Sequence, residues 1–282
     1  MLKNHKVIRN TFRFFLYLFA AIGFLFVGVF VAMKLHLTDV KGSIDSRNSF
    51  FNQNKDNENV KIEAIKNNPK WMNTTEWETL KNGIIKDKEM ILKVSNETNL
   101  PARLIVSVII PEQLRFFTSN RESFKKYFEP LKILGTYTQF SYGISGIKMD
   151  TAKKIEENLK NIESIFYLGK DYENILDYKE VDFSDDDRLA RFTDQHDHYY
   201  SYLYTALYIK EIEKQWQRSG FDIGNRPEVY ATLFNIGFDR SKPKSSPDVG
   251  GSIITIDNKD YTFGGLAYDF YYSNELSDIF PL

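Results

Sequence analysis

The chain changes its hydrophobic pattern twice, and the changes divide it. Phe14 to Met33 reads FFLYLFAAIGFLFVGVFVAM, twenty residues without a charge. As a helix this is enough to cross ~30 Å of hydrocarbon. It is Phe-rich on every face, which argues against a buried core helix. A cleavable signal would carry a shorter apolar core and small residues at a cut site. From Lys41 to about Val60 the pattern turns polar, with SRNSFFNQNKDNEN at its centre, and predicts a flexible tether.

Beyond it the apolar positions recur at helical spacing. Thr75 with Glu78 forms a capping-box signature, followed by Trp77, Leu80, Ile84, Ile91 and Val94. Pro101 suits a first helical turn, and LIVSVII, residues 104–110, is apolar all round, as a central helix requires. Asp150 is placed to cap a helix carrying Ala152, Ile155, Leu159, Ile162 and Phe166, and Ser184 before three aspartates predicts another start. A Tyr-rich helix is expected over Tyr199 to Arg218, stopping at Gly220, with its tyrosines used in packing. Pro227 opens a short helix that Gly237 closes. SIITIDNKDYTF alternates around Asp257 and Asn258 as a hairpin would, and GGLAYDFYYSNELSDIF returns to helix. The expected fold class is therefore mainly α with a small C-terminal β-hairpin, preceded by a single transmembrane helix. The expected divisions are a cytoplasmic tail (1–13), the transmembrane helix (14–33), a flexible linker (34–60) and one domain (61–282).

Charge orients this plan. Lys3, Lys6, Arg9 and Arg13 precede the span with no acid, whereas Lys34 and Lys41 after it are offset by Asp39 and Asp45. The positive-inside rule then keeps the N-terminus in the cytoplasm and the domain outside the cytoplasmic membrane, in the periplasm. A net charge of -1 offers no field for nucleic acid, and the absence of cysteine excludes disulfides, iron–sulfur clusters and thiolate metal sites. Asp194, His196, Asp197 and His198 have no metal-binding spacing such as HExxH and read as loop or helix-start residues. No metal or cofactor is expected.

One carboxylate invites chemistry. In SVIIPEQ, Ser107 to Gln113, Glu112 ends the apolar run. It is either a first-turn acid of a new helix opened by Pro111, or a half-buried acid that keeps its proton through desolvation.

Three segments together bear on that choice. SVIIPEQ, then Gly143 to Ala152 (GISGIKMDTA), then Phe234 to Gly237 (FNIG) occur in the order of the motifs of the lysozyme-like lytic transglycosylases, which cut bacterial wall glycan. The chain resembles that family from roughly Leu100 to Phe238, about half its length. The resemblance implies a lysozyme-like helical domain in which Glu112 alone is the catalytic acid and base, giving 1,6-anhydro-muramic ends without water. It also implies that Gln113, Ser141, Tyr142, Gly143, Ile144, Phe234 and Asn235 contact the substrate, Phe234 with a flat apolar surface. The partners would be peptidoglycan glycan strands, with the membrane held through the N-terminal helix. Gln113 stands where the family has Ser, Gly146 where it has Gln, and Phe234 where it has Tyr. Two alternatives remain: a catalytically inactive glycan-binding or scaffold protein, and a hydrolase with a second carboxylate, for which Asp150 is the nearest candidate.

Overall fold

The computed structural model of the chain describes residues 2–35, 42–54, 68–118, 141–178, 183–194 and 196–282. Helix α1 (Leu2–Lys34) opens it. Within α1, Arg9–Ala32 is 24 residues long, apolar enough to cross a membrane, and not buried by the rest of the chain. It is the one helix with these properties among the described residues.

The domain is mainly helical, as its pattern predicts. In chain order its long helices are α3 (Thr75–Lys86), α4 (Lys88–Thr98), α5 (Ala102–Thr118), α6 (Met149–Lys160), α7 (Asp185–Thr193), α8 (Tyr199–Arg218), α9 (Pro227–Ile236) and α10 (Phe263–Tyr271). A short helix α2 (Asn48–Gln53) precedes them. Helix α5 is the axis: it packs against α3, α4, α8, α9 and α10. Ile105, Val106, Val108, Ile109 and Ile110 are all buried, so the run that is apolar on every face has neighbours on every face. Helix α8 is the second spine, with Tyr202, Tyr204 and Tyr208 buried in the core.

Local signals set most ends. Ser184 caps α7 through a full capping box with Asp187, Pro227 begins α9 and Gly237 ends it. Two caps shift. Thr74, not Thr75, caps α3 by accepting from the Trp77 amide at 3.3 Å. Lys148 occupies the cap position of α6, leaving Asp150 in the first turn, where its charge suits the helix dipole. Helix α6 also stops at Lys160, so Ile162 is exposed and Phe166 reaches Phe238 (ring centroids 4.8 Å apart) from a loop.

The hairpin forms as its sequence predicts. Strands β5 (Ile253–Ile256) and β6 (Lys259–Thr262) pair antiparallel around Asp257 and Asn258, both at positive φ (48° and 57°). Asn and Asp tolerate that left-handed turn better than other side chains. Two shorter pairs complete the sheets: β1 (Ser43–Ile44) with β4 (Gly250–Gly251), and β2 (Ser141–Tyr142) with β3 (Ile147–Lys148).

The expected flexible linker over 34–60 is corrected by the first of these pairs. Residues 36–41 and 55–60 lie outside the described residues, but 42–54 are built into the domain. Strand β1 pairs with β4 so closely that a side chain at Gly250 would strike the Ser43 carbonyl. The Asn48 side chain accepts from the Val249 amide at 2.8 Å, and Asn52 donates to the Pro247 carbonyl at 3.1 Å. Phe51 is buried against Tyr268, with ring centroids 4.9 Å apart. Arg47 bridges Asp45 (3.3 Å) and Asp269 (2.7 Å). Burial pushes the Asp269 carboxyl up, and Arg47 and the Trp71 indole pull it back. A polar composition predicts a tether only when its polar groups have no partners, and here the C-terminal third of the chain supplies them.

Candidate active site

Glu112 lies inside one continuous helix, because α5 runs through Pro111 to Thr118. Pro111 therefore does not open a second helix, and Glu112 is not a first-turn acid. Proline removes one backbone donor but leaves the helix intact, since the buried run before it is held on all sides. Glu112 is on the last, less covered part of α5, with its side chain 13% exposed.

Two groups close on its carboxylate. Arg115, one turn further along, donates to Oε1 and is itself 15% exposed. From the other side comes the loop between β2 and β3. Gly146 there has φ +62°, and a Cβ on it would overlap the Glu112 carboxylate. Glycine is required at this position both for its backbone angle and for the space. Any side chain at this position would displace Glu112.

The same loop is fixed at three further points. Gln113 donates to the Ile144 carbonyl. Ser145, fully buried, donates to the Ser201 carbonyl at 3.3 Å. At Gly143 (φ +69°) a Cβ would lie 2.5 Å from the Ser201 hydroxyl and 2.7 Å from the Phe192 carbonyl. The loop is thus seated on the first turn of α8 and the end of α7, and Ile147 anchors it in the core. Ser141 and Tyr142 form strand β2, and their side chains lie outside the described residues.

The third segment sits on α9, which packs against α5. Asn235 is half-buried, and its Oδ1 accepts from the Ser252 amide at 2.8 Å and hydroxyl at 3.0 Å. This assigns Oδ1 as the acceptor and leaves Nδ2 bonded to no described residue. Gly251 makes the approach possible, since a Cβ on it would lie 2.8 Å from Oδ1. Phe234 is only 8% exposed and packs on Tyr208, with ring centroids 5.1 Å apart. Its face belongs to the core, which corrects the expectation that it offers sugar a flat surface.

Glu112, Gln113, Ile144 and Gly146 therefore come together, and Gly143 holds their loop. Among the described residues no hydrogen bond or ion pair joins Asn235 or Phe234 to Glu112. Sequence reasoning missed Arg115, although a cation three residues after an acid on a helix is a recognisable pairing signal. It also missed Ser252, for which no local signal exists.

The histidine cluster is placed differently from a metal site. His198 Nδ1 lies 2.6 Å from Asp87 Oδ2, to which Tyr202 also donates at 2.9 Å. Burial and that carboxylate hold the Tyr202 phenol well above its ordinary range. Asp194 accepts from the amides of His196 and Asp197, which lowers its carboxyl. Among the described residues no group of three or more His, Asp or Glu side chains is arranged to hold a metal ion.

Compared with family models, with curated proteins and with solved structures, the chain finds no match.

Proposed function

We propose that the protein is a membrane-anchored lytic transglycosylase with a lysozyme-like domain, cleaving peptidoglycan glycan with Glu112 as its single acid and base. The observation that supports this best is the meeting of two of the three motif segments at one carboxylate: the glycine loop closes directly on Glu112 at the end of a buried helix. Glu112 would protonate the glycosidic oxygen as the bond to the muramic C1 breaks. Its carboxylate would then take the proton from the C6 hydroxyl as that oxygen bonds to C1, closing the anhydro ring without water. Gly143–Gly146 would bring backbone groups near the sugar, and the Asn235 amide would be a donor on the neighbouring helix. The anchor would be α1, with the domain on the periplasmic side.

A second reading, an inactive glycan-binding or scaffold protein, is favoured by one observation. One of the two Glu112 carboxylate oxygens, Oε1, already accepts from the Arg115 cation, which favours the charged form over the acid that catalysis needs.

Purified peptidoglycan incubated with the full chain in detergent, or with its Glu112→Gln variant, separates the two. Mass spectrometry is expected to find anhydro-muramic ends from the native chain and a loss of about a hundredfold or more in the variant. Hydrated ends would make the enzyme a hydrolase. Binding without new ends would establish the scaffold reading.

A further inference from the structure

The Glu112–Arg115 pair poses a chemical problem that also suggests its own solution. Both side chains are mostly covered, at 13% and 15% exposure, and the Gly146 backbone closes one side of the carboxylate. Arg115 has no other hydrogen-bonding or ionic partner among the described residues. Its place in the last turn of α5 suits the helix dipole, but that alone does not require a contact with Glu112. When Glu112 carries a proton, the guanidinium is left half-buried without a counter-ion, an arrangement proteins avoid. Productive binding therefore needs another anion to receive Arg115. Its planar fork of donors matches a carboxylate better than any neutral sugar group.

We propose that Arg115 determines specificity, exchanging Glu112 in the free protein for a carboxylate on the bound glycan, so that the preferred substrate carries a free carboxylate beside the bond to be cut. This rests on the glycan-cleaving reading above. Two sources offer that chemistry: the lactyl group of a muramic residue stripped of peptide, and the acidic groups of an attached stem peptide. In either case substrate binding takes the cation away from the Glu112 carboxylate at the step that needs it protonated. Arg115 is thus both a brake on the empty site and the means of its release.

Three glycans test this: peptide-free strands with lactyl carboxylates, strands bearing peptides, and both kinds with every carboxylate amidated. Binding and cleavage are measured for the full chain in detergent and for Arg115→Gln, Arg115→Lys and Glu112→Gln. The native chain is expected to bind and cut carboxylate-bearing glycan at least about tenfold better than its amidated form, the range of charge-assisted hydrogen bonds. Arg115→Gln should lose that difference and Arg115→Lys should keep part of it. Whichever strand loses more on amidation is the source. Equal treatment of free and amidated glycan by the native chain, or an undiminished preference in Arg115→Gln, would overturn the proposal. Carboxylate-dependent binding that needs Arg115, with no cleavage by any protein, would uphold the Arg115 site and overturn the enzymatic reading alone.

Discussion

Helix α5 carries two arginines twelve residues apart, and they live in opposite circumstances. Arg103 is fully buried, and among the described residues no carboxylate bonds to it directly. Its guanidinium instead donates to five backbone carbonyls of the C-terminal segment: Phe270, Tyr271, Ser273, Glu275 and Phe280. The ring of Phe270 also lies under it, 4.7 Å away. Burial lowers its pKa to about 10, the opposite of the ion-paired Arg188, whose pKa the Glu156 carboxylate raises. Arg115 has one partner among the described residues, the Glu112 carboxylate, and partial exposure. The first cation is committed at every donor and can only hold the chain end in place. The second keeps donors in reserve. A saturated buried cation reads as architecture, and an unsaturated half-buried one as a site.

The contrast can be broken by measurement. The largest effect is expected for Arg103→Met, which keeps most of the volume and leaves five buried carbonyls short of a donor. It should cost about 4 kcal/mol in urea unfolding followed by tryptophan fluorescence, all three tryptophans lying in the domain. A loss under 1 kcal/mol would make Arg103 ornamental and the comparison empty. Phe51→Ala should come next, at about 3 kcal/mol, because it opens a cavity where residues 42–54 dock on α10. No loss would return that segment to the status of a tether.

A smaller gain is expected from Glu211→Gln. Glu211 is fully buried, accepts from Asn158 at 3.0 Å through Oε2, and has no partner at Oε1 among the described residues. Burial raises its pKa well above the ordinary 4.5. Between 4.5 and the raised folded value it is protonated in the folded chain and ionised in the unfolded one. Folding takes up a proton, and its contribution to stability declines as pH rises from 4.5 towards the folded value. Glutamine keeps the hydrogen bond without the titration. The variant should be more stable by about 1 kcal/mol or more at pH 7 and level with the native chain near pH 4, read from paired urea titrations. A pH-independent difference would show that Glu211 is charged in the fold. The smallest change in stability, under about 1 kcal/mol, is expected for Arg115→Gln, because the glutamine amide can still donate to Glu112, which can also take up a proton; its effect should fall on glycan selectivity instead. A loss as large as that of Arg103→Met would put both arginines in the same class.

The amino-acid pattern alone determined what depends on neighbours in the chain. The apolar span of α1, the limits of α8 at Tyr199 and Arg218, the helix start at Ser184, Pro227 and Gly237 around α9, and the Asp257–Asn258 turn are all as their local signals predict. Each rests on backbone angles or hydrogen bonds within a few residues, so a short window contains its cause. The candidate site was half legible. The apolar run pointed to Glu112 and the glycines to a loop, but nothing local showed that Gly146 meets the carboxylate or that Phe234 turns inward onto Tyr208.

Tertiary structure decided everything with a distant partner. Arg103 finds Tyr271 168 residues away, and Arg47 finds Asp269 at 222. Asn235 is oriented by a serine 17 residues on, across a separate strand. Whether a polar stretch is a tether or a docked segment, and whether a buried Glu holds its proton, depends on how well its polar groups are satisfied. Those partners come from other elements and meet only when the chain folds, so no pattern of neighbouring residues encodes them.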